Sequence, residues 1–485
     1  MSHHLRRTKI VVTLGPSLDD PKMLERVILA GAVVFRANFS HGETSMHEKR
    51  INLVREIAAR HHKIVAILVD LQGPKIRIGR FVNKKITLVE GQHFILDAAW
   101  PENDGNDEIV SLGYEDLPRD VRTGDTLLLD DGRLVFSVIR VDGTQIHCNV
   151  IVGGELSNNK GINRLGGGLS AAALTAKDRH DIKDAVRLQA DYIAISFPRH
   201  ADDIKEARIL LKAAGGNPSI IAKIERSEAV TNLDGIIQAS DAVMIARGDL
   251  GVEIGDAELP AMQKKIIKLS RIYNKPVITA TQMLESMIHN TIPTRAEVSD
   301  VANAVLDGTD AVMLSGETAV GLYPDKAVAA MDRICLSAEK PRKIHSAYKA
   351  QQFKFVDEAI AIATMTTANH LDIQAIIALT ESGTTPLLMS RVNSNIPIYG
   401  LSRHETTLRR MTLFRGVYPV SFDATHIDRR ILNEAATLEL QKLNILKNGN
   451  HVIITKGDLI GVHGRTNSMK IVTVGDFPSY DARLD

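Results

Sequence analysis

The chain has 485 residues, 44% hydrophobic and 24% charged, the balance of an ordinary globular protein. At about 150 residues per domain there is room for roughly three domains with sizeable cores. With 59 basic and 58 acidic residues and a formal net charge of +1, no global field exists to recruit nucleic acid or an anionic membrane. An anionic ligand must therefore be held by a local cluster. Two cysteines, Cys148 and Cys335, lie far apart and lack CxxC spacing, which predicts reduced thiols. The apolar run Ile10–Leu14 is too short for a signal-peptide core, and no stretch of about 18 apolar residues occurs. A cytoplasmic protein without a membrane span is expected.

Short β-branched runs begin at Ile10–Leu14, Val33–Arg36 and Ile64–Val69. After a long gap they resume at Tyr192–Ser196, Ile220–Ile224, Ala242–Ala246, Pro276–Thr279 and Ala311–Leu314. Stretches between them, such as Asp202–Ala213 and Met262–Tyr273, carry apolar residues at helical spacing. Apolar strands alternating with helices predict a parallel sheet covered by helices. Eight such units predict a (β/α)8 barrel over 1–71 and 170–342. In the gap, 72–169, the helical period fades. Turn signals such as Glu90-Gly91, Asp104-Gly105 and Asp142-Gly143 separate strand-like runs at Thr126–Leu129, Leu134–Val141 and Gln145–Val152. This predicts a small inserted all-β domain. It returns through Gly166-Gly167-Gly168, which places it as a lid on a glycine tether. After Glu339-Lys340-Pro341-Arg342 a polar stretch to about Lys354 reads as a linker. A helix at Val356–His370 and strands at Ala375–Leu379, Ile396–Leu401, His451–Thr455 and Lys470–Val474 then predict a C-terminal α/β domain, 343–485, with a polar tail from Phe477.

Reactive groups of such a barrel sit where its strands end. Strand two runs into Arg36-Ala37-Asn38-Phe39-Ser40-His41, and period-2 alternation puts Arg36, Asn38 and Ser40 on one side. Strand three ends in Asp70 and strand five in Lys223-Ile224-Glu225. Strand six ends in Arg247-Gly248-Asp249, strand seven in Thr279-Ala280-Thr281-Gln282, and strand eight in Ser315-Gly316-Glu317-Thr318. Glu225 and Asp249 end adjacent strands. Two carboxylates with no His pair and no Cys suit Mg²⁺ or Mn²⁺, with other positions left to water and substrate oxygens. Arg36, Arg77 and Lys223 supply positive charge for phosphate and for developing negative charge. Gly248 lets backbone N–H groups approach an anion near the start of a helix. Cations, a divalent metal and N–H groups around one point are what phosphoryl transfer needs. Taken singly, each strand-end residue is as readily a solvated charge or a structural ion-pair partner as a functional group. Six matched strand ends together are not. No zinc spacing, GxSxG elbow or GxxxxGK[ST] loop is present.

These residues resemble those of the pyruvate kinase family. Asn38-Phe39-Ser40-His41-Gly42, Asp70-Leu71-Gln72-Gly73-Pro74-Lys75-Ile76-Arg77, Ala222-Lys223-Ile224-Glu225, Arg247-Gly248-Asp249-Leu250-Gly251 and Thr279-Ala280-Thr281-Gln282-Met283-Leu284-Glu285-Ser286-Met287 stand as that family has them. So do Pro293-Thr294-Arg295-Ala296-Glu297 and Leu314-Ser315-Gly316-Glu317-Thr318. The resemblance runs from about Arg7 to Val474. It implies the reaction phosphoenolpyruvate + ADP → pyruvate + ATP, the last step of glycolysis. It implies Mg²⁺ on Glu225 and Asp249, and Lys223 stabilising the transferring phosphoryl and the enolate. Arg36 and Arg77 contact phosphates, and Gly248, Asp249 and Thr281 seat the substrate carboxylate. Asn38, Ser40, His41, Arg77 and Lys160 are the implied nucleotide contacts. Thr281, Ser315 and Glu317 join the catalytic set, the last two through a network that delivers a proton to the enolate. A homotetramer is implied as well.

Many relatives have Glu where this chain has Lys75, and hold K⁺ at positions matching Asn38, Ser40, Asp70 and the carbonyl of Leu71. Relatives with Lys there, along with Leu-Gln before the Gly-Pro, resemble K⁺-independent forms, and activity without K⁺ is expected of this chain, the tethered ammonium supplying the charge that K⁺ otherwise supplies. The C-terminal domain resembles a regulatory domain. Thr380, Ser382, Gly383, Thr384 and Thr385 end a strand before a helix, as a phosphate cradle for a sugar or nucleoside monophosphate would. The same turn is also what an ordinary capped helix start looks like. Thr384 stands where many relatives have Arg. Two other readings are a Mg²⁺-dependent enolate-forming lyase or aldolase and a non-catalytic effector-binding protein. Neither needs both Lys160 and the full set Arg36, Lys223, Glu225, Asp249 and Thr281.

Overall fold

In the computed structural model, which describes residues 5–340, 353–458, 464 and 466–477, eight parallel strands close a barrel. They are Lys9–Thr13, Val34–Asn38, Ala66–Asp70, Tyr192–Ile195, Ser219–Ile224, Ala242–Ala246, Val277–Ala280 and Ala311–Leu314. Each lies beside its successor in the chain, and the last pairs with the first from Lys9↔Ala311 to Val12↔Leu314. The first, third and sixth are buried along their whole length, as strands covered on both faces are. Strand one starts at Lys9, a residue before the apolar run. The Lys9 amide donates to the Asp310 carbonyl at 2.8 Å, and its ammonium donates to the Val417 carbonyl above the Tyr418 ring. Hydrogen-bond register, not hydropathy, decides where a strand begins.

The chain divides into two compact units, one of 1–37, 49–68 and 283–485, the other of 38–48 and 69–282. In the second unit the inserted segment forms a six-stranded sheet, with Ile162–Arg164, Thr126–Leu129, Leu134–Asp142, Gln145–Val152, His93–Asp97 and Ile109–Ser111 side by side. A two-stranded ribbon pairs Gly154–Ser157 with Lys85–Leu88. Its core includes Phe94 and Phe136, whose rings tilt against each other at 5.7 Å, and the buried Cys148.

In the first unit, the C-terminal sheet runs Val417–Ser421, Ile398–Ser402, Ala375–Leu379, His451–Gly457, Thr466–Thr473, the last antiparallel. Helix Val356–His370 lies where the pattern placed it. Strand Val417–Ser421 was not expected, because Pro419 interrupts it. It is an edge strand, where a missing N–H is tolerated. The Thr466–Thr473 strand begins earlier than predicted. It lies on the other edge, so polar Asn467 and Lys470 face outward without cost. Arg391 pairs with the buried Asp310, and Arg415 donates to Thr8 Oγ1 at 2.7 Å and to the Thr309 carbonyl at 2.9 Å. The expected linker falls largely at 341–352, and the expected tail at 478–485, both outside the described residues. Among the described residues no helix is long and apolar enough to cross a membrane.

Candidate active site

In a closed parallel barrel all strand ends of one kind share a face. In the second unit, Lys223 lies at the end of strand five. Its ammonium is 3.0 Å from Glu225 Oε1, 3.2 Å from Asp70 Oδ1 and 2.7 Å from Ser196 Oγ. Ser196 donates onward to the Leu71 carbonyl at 2.7 Å. The second oxygen of Glu225 accepts the Phe197 N–H at 2.8 Å. Glu225 and Asp70 are each 1% exposed. Burial pushes the Glu225 carboxyl above the usual carboxylate range. Lys223 pulls it back, and the charges of Asp249 and Asp70 push it further up. The three carboxyls Glu225, Asp70 and Asp249 outnumber the two ammoniums, Lys223 and Lys75, that pair with them. Hard oxygens with surplus negative charge fit a divalent cation such as Mg²⁺. Among the described residues no group of three or more His, Cys, Asp or Glu gathers around one point. A cation on Glu225 and Asp249 would complete its shell from other donors.

Asp249 stands in the first turn of helix Arg247–Ile254, and Lys75 Nζ is 3.0 Å from its Oδ1. Strand seven, Val277–Ala280, is followed by Thr281, φ +68°, and Gln282, φ +53°. A β-branched residue in the left-handed region is strained and must be held there. The buried Arg247 holds it: its guanidinium donates to the Thr281 carbonyl at 2.7 Å and to the Ala280 carbonyl at 3.3 Å. The Gly248 N–H donates to Thr281 Oγ1 at 2.8 Å. The backbone of Gly248 and the Thr281 hydroxyl therefore lie side by side at this strand end.

In the first unit, Arg36 donates to Thr13 Oγ1 at 3.1 Å, which donates to the Leu314 carbonyl at 2.9 Å. Glu317 is buried and accepts from Leu284 N–H at 3.0 Å and Ser315 N–H at 2.7 Å. Burial raises its pKa against those bonds. The Ser315 hydroxyl is buried with no hydrogen-bond partner among the described residues.

Lys160 pairs with Asp130 at 2.7 Å, and Arg77 donates to the Asn159 carbonyl at 2.9 Å, both inside the inserted domain. Asn38 Oδ1 accepts the Ser40 N–H at 3.2 Å. The His41 side chain is exposed, and its carbonyl meets His47 Nε2 at 2.8 Å. In the C-terminal sheet, Thr380, Ser382, Thr384 and Thr385 line a cleft of about 650 Å³ with Arg403 and Lys456. Gly383, φ +82°, donates to Thr380 Oγ1 at 2.9 Å, and Glu381 meets His404 at 2.5 Å.

Sequence reasoning missed Ser196, Phe197 and the positioning role of Arg247. Ser196-Phe197 directly follows strand four, Tyr192–Ile195, so reading that end beside the other six would have found the first two. Phe197, φ +55°, turns its N–H onto Glu225 in a conformation a bulky residue rarely adopts.

The family model described as pyruvate kinase, barrel domain, matches residues 5–328, and that described as pyruvate kinase, alpha/beta domain, matches 358–472. The chain is 54% identical over 480 residues to a pyruvate kinase of Buchnera aphidicola and to pyruvate kinase II of Salmonella typhimurium, covering 98% of this chain and 100% of each relative. A crystal structure of a pyruvate kinase from Cryptosporidium parvum superposes with a TM-score of 0.89 at 36% identity, covering 96% of both chains.

Proposed function

Since the chain belongs to the pyruvate kinase family, we propose the roles its residues take in moving the phosphoryl group of phosphoenolpyruvate to ADP. The chain is a phosphotransferase of this family, and neither the lyase nor the effector-binding reading is favoured. The observation that carries the assignment of roles is the Lys223 ammonium held among Glu225, Asp70 and Ser196. In the transfer, the bond from phosphorus to the enol oxygen breaks and a bond from phosphorus to a β-phosphate oxygen of ADP forms. The enolate left behind takes a proton at its methylene carbon and becomes pyruvate.

Glu225 and Asp249 would hold Mg²⁺, which supplies charge stabilisation on the phosphoryl oxygens when bound. Lys223 stabilises the negative charge that moves from the phosphoryl group to the enolate oxygen. Arg36 and Arg77 take phosphate oxygens. Thr281, with Gly248 and Asp249, seats the carboxylate, fixed by the Arg247 brace. Ser315, whose hydroxyl has no described partner, and Glu317 belong to the path by which the enolate gains its proton. Asn38, Ser40, His41 and Lys160 serve the nucleotide. The test is pyruvate formation from phosphoenolpyruvate and ADP with Mg²⁺, before and after chelation, for the wild type and Lys223→Met. Turnover lost on chelation and by the substitution is expected. A Lys223→Met enzyme that keeps full turnover would overturn the assignment.

Lys75 on Asp249 supports activity without K⁺. The cleft beside Thr380–Thr385 supports binding of a phosphorylated effector, a sugar or nucleoside monophosphate. Phosphoenolpyruvate saturation curves unmoved by such compounds would count against it. Exposed Ile292, Val320 and Leu322 in the first unit, Ile292 at 72% exposure, support burial in a homotetramer. A single-chain mass by light scattering would remove that reading. The strand ranges support domain limits near 71, 170 and 342, and two buried thiols with no membrane-crossing helix among the described residues support a cytoplasmic location.

A further inference from the structure

The return tether of the inserted domain is pinned by two glutamates that the active site does not use. Leaving strand Ile162–Arg164, the chain passes through Gly166, Gly167 and Gly168, with φ +85°, +77° and +89°. Three consecutive left-handed glycines make a swivel unless something holds them. The Gly166 N–H donates to the Glu253 carbonyl at 3.0 Å, and the Gly168 N–H donates to the Glu228 carboxylate. A Cβ on Gly167 would meet that carboxylate at 2.9 Å, so a side chain there would push the carboxylate aside. The Glu253 side chain reaches the lid strand directly. Asn163 Nδ2 donates to one oxygen at 3.5 Å, and the Ser227 N–H donates to the other at 2.9 Å. Glu253 is 2% exposed. The second oxygen of Glu228 is buried with no partner among the described residues.

The helix that carries Glu253 packs against helices Ser227–Thr231 and Leu259–Ile272 and strands Ala242–Ala246 and Ile162–Arg164. From the first come Glu228 and, at its start, the buried Arg226. From the second, the buried Gln263 accepts from Arg247, and none of that helix's lysines or arginines is among the main influences on the Glu253 carboxyl. Strand Ala242–Ala246 has no charged residue. From the lid strand comes Arg164, held by Asp125 and the Gly167 carbonyl. Burial pushes the Glu253 carboxyl up to about 7. Glu228 adds to that rise, while the Ser227 N–H, Arg226 and Asn163 oppose it.

We propose that Glu253 is a positioning residue, a proton-linked latch that docks the lid's tether, and with it Arg77 and Lys160, on the barrel. This rests on the reading of Arg77 and Lys160 as nucleotide contacts. The sign follows from linkage. A carboxyl raised in the docked state stabilises docking fully below its ordinary range, and that stabilisation is lost as pH rises through about 7. Undocking wets the group, lowers its pKa and releases a proton. Docking therefore weakens by up to about tenfold between about pH 6 and about pH 8.

The test uses the full-length enzyme: wild type, Glu253→Gln, Glu228→Gln and, as a control on the nucleotide role, Lys160→Ala. kcat and KM for both substrates are measured at closely spaced pH values from acid to alkaline of neutrality. Hydrogen exchange at the Gly166 and Gly168 amides is followed over the same series. The amide of Glu253→Gln mimics the protonated latch at every pH. The ratio of KM for ADP, wild type over Glu253→Gln, is expected to climb with pH by up to about tenfold, while KM for phosphoenolpyruvate moves in parallel in the two. Exchange at Gly166 is expected to outpace its intrinsic rise with pH in the wild type alone. Glu228→Gln is expected to speed exchange at Gly168 at all pH values. A flat ratio while Lys160→Ala raises KM for ADP would overturn the latch and keep the nucleotide role. If Lys160→Ala leaves KM for ADP unchanged, the nucleotide role fails, and wild-type exchange that tracks Glu253→Gln would then overturn the latch as well.

Discussion

Replacing Lys75 by Glu should convert the enzyme into one that needs K⁺. The Lys75 ammonium sits 3.0 Å from Asp249 Oδ1, with the two side chains 25% and 21% exposed. At that separation and an effective dielectric of about 20, Coulomb's law sets a ceiling of about 6 kcal/mol. Partial exposure reduces this to about 1–2 kcal/mol. The substitution removes that attraction and adds a repulsion of similar size between two carboxylates, a loss of about 3 kcal/mol in all. If the loss falls on the step in which substrate charge approaches Asp249, kcat/KM for phosphoenolpyruvate drops by about a hundredfold in K⁺-free buffer. Added K⁺, taken by Asn38, Ser40, Asp70 and the Leu71 carbonyl, should recover most of it, and choline should not. The assay is coupled pyruvate production with tetramethylammonium salts, titrated with KCl at constant ionic strength. A wild type inactive without K⁺, or a Lys75→Glu enzyme as active as wild type without it, would refute the reasoning.

The carbonyls at the strained end of strand seven are held by the Arg247 guanidinium. Arg247→Lys keeps the charge but loses the fork that holds the Thr281 and Ala280 carbonyls, and should cut kcat by about tenfold to a hundredfold while leaving thermal stability within a few degrees. An unchanged kcat would show that Thr281 holds its conformation without help. Burial pushes the thiols of Cys148 and Cys335 up to about 12, so neither is a thiolate near neutrality. A disulfide reagent should leave both untouched in the native enzyme and modify both in denaturant, and fast modification without denaturant would contradict the packing.

The barrel was legible in the sequence because its strands are buried on both faces. Runs such as Ala242–Ala246 and Ala311–Leu314 need no partner to declare themselves, and the polar groups that follow mark the reactive end. The separation of the inserted segment was legible too, since the helical period stops at Gln72 and turn signals replace it. Strand Val417–Ser421 was not, because an edge strand tolerates the proline that argues against it. The chemistry of single residues was legible only as type. Lys223 and Glu225 share a face by period-2 alternation, but that Ser196 completes the ammonium's shell depends on strand four lying beside strand five. That Arg247 braces Thr281, and that Glu253 reaches across to Asn163, are likewise contacts between residues far apart in the chain. Local sequence determines which residues end a strand. Which of them meet, and which carboxyl is buried enough to hold its proton near neutrality, depends on distance and dielectric, and those exist only once the barrel has closed.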